Sequence, residues 1–182
     1  FRNHLSRTEL AAAKRKKVDP YELLIKQAAT APPGCEGLFF LPYLTGERCP
    51  YPNSNARGGW IGLTTRHGRP ALIRSLVEGV TFGMADTLEI LIDMGLGIRT
   101  VRLSGGGARS SFWRQLQADI YNKPVATINA QEGPAYGAAI LAGVGTGIWN
   151  GVAESCRAVI CETEKRRPNR RQVRLYKSYH VQ

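Results

Sequence analysis

The 182-residue sequence is poor in the residues that build metal sites and crosslinks, with four cysteines and three histidines. Cys35, Cys49, Cys156 and Cys161 form no C-x-x-C pair, and His4, His67 and His180 are scattered, so no zinc site is expected and no metal ligand is assigned. Reduced thiols in a cytoplasmic protein are the expectation, without a Cys156–Cys161 bridge. Long apolar runs are also missing. The stretch 135–149 is interrupted by Gly137, Gly143, Gly145 and Gly147 and is too short to span a bilayer comfortably; no membrane anchor or signal peptide is visible, although a chain beginning at Phe1 without Met could have lost one. Acidic residues are scarce: 14 Asp+Glu face 25 Lys+Arg, a net charge of +11. The cations gather at Lys14–Lys17 and between Lys165 and Lys177. That charge keeps a nucleic-acid-binding module open as an alternative. No nucleic-acid fold motif accompanies it, and a solvated face that attracts anionic ligands is the preferred reading.

What is present is a hydrophobic content of 43 %, enough for a substantial core in one domain with an extra lobe. The chain starts at Phe1 without Met and is read as a fragment. Its most informative stretch is Val101 to Trp113, an apolar strand that runs into Gly105-Gly106-Gly107 and out into a helix. Glycine lets a ligand approach the main chain, and the amides at a helix start favour anions. A P-loop is excluded, because no Gly-Lys-Ser/Thr follows. A dinucleotide fingerprint is disfavoured, because Ser110 replaces its third glycine and Asn129 stands where an acidic residue is required.

Asp19-Pro20-Tyr21-Glu22 predicts a helix start, with the helix running to about Thr30 before Pro32-Pro33-Gly34. Residues 37–41 and 59–63 read as strands. The Pro- and Gly-rich segment 42–59 between them, with Glu47, Arg48 and Arg57, reads as a long functional loop. Apolar spacing from Leu72 to Ile92 predicts a long amphipathic helix over about 70–95. A strand at 99–104, a helix at 110–122, a strand at 125–128 and a helix at 134–148 complete a β-α-β-α order, which places the glycine loop at the carboxyl ends of the strands. The small residues of 134–148 suit close packing or an interdomain crossing.

Five segments then combine: Leu41-Pro42-Tyr43-Leu44-Thr45-Gly46-Glu47-Arg48-Cys49-Pro50, Asn55-Ala56-Arg57-Gly58, Gly62-Leu63-Thr64, Ser104 to Gly107, and Glu132-Gly133-Pro134-Ala135-Tyr136-Gly137-Ala138-Ala139. In this order they resemble the C-terminal domain of the FGGY carbohydrate kinases, xylulokinase-like branch, over roughly residues 19–160. Gly58-x-Trp60-x-Gly62-Leu63 through Glu78 resembles the family's second signature, departing from it at Ala71.

The resemblance implies an α/β domain of the actin-like ATPase, ribonuclease H-like fold, incomplete at its N-terminal edge. Residues 1–33 would be a helical lead-in and 34–182 the nucleotide-binding domain, with the N-terminal sugar-binding domain outside the chain. It implies ATP with Mg2+, a small-molecule sugar substrate and no membrane, and a homodimer is conceivable through an exposed sheet edge. The reaction implied is transfer of the ATP γ-phosphoryl to a hydroxyl of D-xylulose or a similar ketose; another sugar, a polyol or an aldonate is the alternative. Carried over by residue, Gly105 makes the turn, Gly106 and Gly107 face ribose and α-phosphate, and Ser110 bonds the adenine edge. Arg109 over the purine face is a reading from chemistry alone. The family's catalytic aspartate and phosphate-binding hairpins precede this region, so no catalytic residue is assigned and the Mg2+ site is not assignable in this chain; Glu47, Asp86, Asp93 and Asp119 carry no motif support, and the fragment alone is expected to be inactive.

Overall fold

The structure is a computed structural model that describes residues 1–130 and 133–180. Glu132, which opens the last family-like motif, lies outside the described residues with Gln131. In chain order the elements are α1 (Arg2–Leu5), α2 (Arg7–Lys16), α3 (Pro20–Ala28), β1 (Phe39–Leu41), β2 (Gly59–Ile61), α4 (Arg69–Asp93), β3 (Val101–Leu103), α5 (Ser111–Tyr121), β4 (Val125–Ile128), α6 (Gly133–Gly145), α7 (Val152–Val159), β5 (Glu162–Arg166) and α8 (Arg170–His180).

The long helix α4 organises the rest. β1 and β2 pair antiparallel, Phe40 opposite Trp60, and lie across α4. Their approach is close because of Gly79, where a Cβ would fall onto the carbonyl oxygen of Phe40. The Trp60 indole N–H donates to Ser75 Oγ at 3.0 Å and fixes the hairpin on the helix. Further along, Ala85 joins Leu103, Ala118, Tyr121 and Val125 in a buried cluster between α4, α5 and the second sheet. That sheet has the order β3-β4-β5, with β3 parallel and β5 antiparallel to β4. Among the described residues β3 pairs on one side only.

The expected helices and strands are present, with ends shifted by one to a few residues. The basic tail, for which no element is expected, is ordered: residues 162–166 form a strand and 170–180 a helix, with Lys165, Arg167, Arg170, Arg171, Arg174 and Lys177 exposed. α8 starts because Asn169 Oδ1 accepts from the backbone N–H of Arg171 and Gln172. It stays because Tyr176 is buried to 2 % exposure between α4 and α5. The long loop 42–59 ties itself. Glu47 exchanges two backbone bonds with Asn53, and its carboxylate accepts from the N–H of Arg48 and Cys49. Arg57 donates to the carbonyls of Ser54 and Ala56. All four cysteines are free.

At the N-terminal end, α2, α3 and α4 meet on one carboxylate. Glu9 is buried and accepts from Arg69 Nε at 2.8 Å, Arg69 Nη2 at 2.6 Å and Gln27 Nε2 at 2.9 Å. The Arg69 bonds outweigh burial and hold its pKa at about 2 rather than 4.5. A carboxylate with a depressed folded pKa contributes stability above its unfolded pKa and loses it as pH falls toward the folded value. Amide exchange in residues 7–16 is therefore expected to accelerate as pH drops from 4.5 toward 2, after correction for the intrinsic rate. Glu9→Gln should remove this acid sensitivity.

Candidate functional site

The glycine turn stands at the carboxyl end of β3, beside parallel β4, where ligands of such sheets bind. Gly105 has φ +77° and ψ −164°, a conformation that side chains resist, and it reverses the chain direction. Gly106–Arg109 then form a 3₁₀ turn, closed by Ala108 N–H to Gly105 O at 3.2 Å. This turn, which holds Gly106 and Gly107, stands between Gly105 and α5, where the sequence suggests direct entry into the helix. Ser110 explains the break: it stays extended so that its Oγ can accept from Trp113 N–H at 3.1 Å as the N-cap of α5. Ser110→Ala is expected to lower stability by about 1 kcal/mol, read as a drop in the urea midpoint, whatever the turn binds.

The three glycines face different surroundings. A Cβ on Gly105 or Gly106 would meet nothing within 4 Å, whereas one on Gly107 would touch the Trp113 ring at 3.4 Å. Trp113 is in turn held by its indole N–H to Thr81 Oγ1 at 2.9 Å. The turn is anchored from below by Arg114, which donates to Ala108 O and, at 2.6 Å, to Glu164 on β5. Gly106, Gly107, exposed Arg109 and Ser110 line one wall of a crevice of about 810 Å³. That volume falls within the range of small-molecule sites, roughly 300–1,000 Å³. The opposite wall is α3, through Tyr21, Glu22, Ile25 and Lys26.

Phe112, on the floor of the crevice, packs with Leu24, Ala28 and Ile73. Beneath it lies the Arg74 guanidinium, 5.1 Å from the ring centroid. Arg74 belongs to a buried network invisible in the sequence. Its Nε donates to Glu78 Oε1 at 2.7 Å, its Nη1 to Ala31 O at 2.7 Å and its Nη2 to Tyr176 Oη at 2.8 Å. The Tyr176 hydroxyl and the Gly34 N–H also donate to Glu78 Oε1, and the Cys35 thiol to Oε2. Burial, reinforced by the Glu78 charge, pushes the Cys35 and Tyr176 pKa values upward, so both groups remain protonated donors.

Polar contacts occupy three of the four carboxylates considered above as bases. Glu47 closes its loop, Asp86 bonds His180 Nε2 at 2.6 Å, and Asp119 accepts from Asn169 N–H while burial raises its pKa. None of the four lines the glycine crevice. Asn129, which weakens the dinucleotide reading, instead joins β4 to the approach of β5: Nδ2 donates to Val159 O and Oδ1 accepts from Cys161 N–H. Among the described residues, Asp86, Glu89 and His180 could gather around a cation, but Glu89 and His180 border a separate pocket against Ile120 and Lys123. They offer nothing to a metal at the glycine turn. Gly105 makes the turn without lining the crevice, whereas the bare face of Gly106 and the aromatic floor line it and leave room for a flat ligand.

The family model "FGGY family of carbohydrate kinases, C-terminal domain" matches residues 1–146. Xylulose kinase of Staphylococcus epidermidis is 39 % identical over 163 residues, covering 89 % of this chain and 33 % of the relative. Gluconokinase of Bacillus subtilis is 37 % identical over 148 residues, covering 81 % of this chain and 29 % of the relative. The solved structure of ligand-bound xylulose kinase from Lactobacillus acidophilus superposes with a TM-score of 0.81 at 30 % identity, over 96 % of this chain and 36 % of the other. The chain thus spans about a third of the length of the relatives it matches. Its α/β architecture is that of the actin-like ATPase fold of sugar kinases. With the motifs and all three comparisons in agreement, the chain belongs to the FGGY family of carbohydrate kinases and corresponds to their C-terminal domain.

Proposed function

We propose that the glycine crevice binds the adenosine portion of ATP in a kinase that transfers the γ-phosphoryl to a sugar hydroxyl, with D-xylulose or a similar ketose as acceptor. One observation carries this reading. In a chain of this family, the open face of Gly106 sits just past the carboxyl end of a parallel strand pair and lines a crevice of about 810 Å³. In this assignment Gly105 makes the turn, and the main chain of Gly106 and Gly107 runs beside ribose and α-phosphate. Ser110 accepts one bond as a helix cap and keeps its own O–H to donate to the adenine edge. Arg109 lies over the purine face. Residues 1–33 supply the second wall through α3, and 34–182 supply the rest.

ATP supplies the transferable phosphoryl group, with Mg2+ carried on its phosphates; this chain contributes binding and orientation, and no base or metal ligand is assigned to it. Positioning accounts for much of phosphoryl-transfer catalysis. The excess positive charge fits attraction of an anionic nucleotide. No helix of the described residues is long and apolar enough to cross a membrane, and a cytoplasmic location is part of the proposal. Both a xylulose kinase and a gluconokinase are among the relatives, so aldonates belong in the test. The experiment is an ATP-dependent phosphorylation assay of the intact protein against ketoses, polyols and aldonates, with ATP binding followed in parallel. Phosphorylation of D-xylulose above the others supports the proposal. Absence of ATP binding overturns it.

A further inference from the structure

We infer that Tyr21 is the platform on which the base of the nucleotide stacks, an inference that rests on the nucleotide reading above. Large aromatic side chains on the crevice floor are already committed: Phe112 to its apolar cluster and Arg74, and Trp113 to Thr81 and Gly107. Tyr21 is different. It lines the crevice at the first turn of α3, opposite the glycine turn, yet remains 54 % exposed. Packing does not require an aromatic ring there.

The ring is nevertheless held in place. Asp19 Oδ1 accepts from Tyr21 N–H at 2.9 Å, which fixes the backbone from which the side chain projects. The Arg2 guanidinium lies over the ring, 5.2 Å from its centroid. A cation covering one face draws π density toward itself, leaving the other face suited to an electron-rich purine. A purine lodged between this face and Arg109 would be recognised by its flat area in addition to the bond from Ser110 to its edge. Stacking area is larger for a purine than for a pyrimidine, so Tyr21 would set a preference for ATP over CTP.

The test is calorimetric titration of the intact protein with ATP and with CTP, for the parent, Tyr21→Ala, Tyr21→Phe and Gly106→Val. Base stacking on an aromatic ring implies a loss of roughly tenfold in ATP affinity for Tyr21→Ala, a smaller loss for CTP, and near-parent behaviour for Tyr21→Phe. Tyr21 is exposed, so unchanged unfolding midpoints should accompany these shifts. If Tyr21→Ala binds ATP like the parent while Gly106→Val has lost it, the inference fails and the nucleotide reading stands. Equal losses for ATP and CTP also overturn base stacking. If Gly106→Val itself binds ATP unchanged, the nucleotide reading fails and the role of Tyr21 with it.

Discussion

Gly106→Val in the intact protein is expected to weaken ATP binding by roughly tenfold or more, a change of about 1.4 kcal/mol or above, with the unfolding midpoint nearly unmoved. The reason is the asymmetry among the three glycines. Gly105 needs its φ of +77°, so a side chain there strains the backbone. Gly107 faces the Trp113 ring at contact distance, so a branched side chain would press on the aromatic floor. Gly106 has neither constraint: its φ is not in the left-handed region, and a Cβ meets no atom within 4 Å. An isopropyl group at this position therefore projects into the space assigned to ribose and phosphate, and its cost falls on the ligand. Titration with ATP, alongside denaturation in its absence, separates the two effects. Unaltered affinity in a folded variant would remove the main-chain approach on which the proposal stands.

Glu78→Ala is expected to cause the largest loss of stability of any single change considered, about 3–5 kcal/mol, against a typical domain stability of about 5–15 kcal/mol. Its removal leaves the Arg74 guanidinium buried without a counter-charge and deprives the Gly34 N–H, the Tyr176 hydroxyl and the Cys35 thiol of their acceptor. An isolated buried ion pair can be replaced by apolar residues with little penalty. This pair is not isolated. Arg74→Met with Glu78→Leu is therefore expected to remain below the parent, because Gly34 N–H, Tyr176 O–H and Ala31 O stay unsatisfied. Urea denaturation of the two variants provides the check, and a double variant as stable as the parent would show that the hub holds no more than its own two charges.

Much of this architecture is legible in the residues. Asp19-Pro20 announces α3, the 3.6-residue spacing from Leu72 to Ile92 announces α4, and the alternation after Thr100 places the glycine turn at strand ends. Local chemistry decides those elements. α8 escapes notice because arginines and lysines dominate its composition, yet Gln172, Val173, Tyr176, Tyr179 and His180 recur along one helical face. The cap at Asn169 was a second signal. The Arg74–Glu78 spacing of four residues is visible too, but an i,i+4 ion pair ordinarily sits in solvent. Only the arrival of Tyr176, about a hundred positions later, makes it interior. The role of α3 as a crevice wall depends in the same way on a contact between segments distant in sequence, which no window of neighbouring residues reports.

The long reach of that network has a bearing on how the chain acquires its shape during synthesis. Arg74 and Glu78 emerge from the ribosome well before residues 170–180, separated from Tyr176 by 102 and 98 positions. At about 5–20 residues per second, several seconds pass before α8 can arrive. Until then a guanidinium and a carboxylate destined for the interior lack their phenol partner, and the apolar patch that Tyr176 covers stays open to water. Burial of the Arg74–Glu78 pair is thus expected to be complete only once α8 has docked.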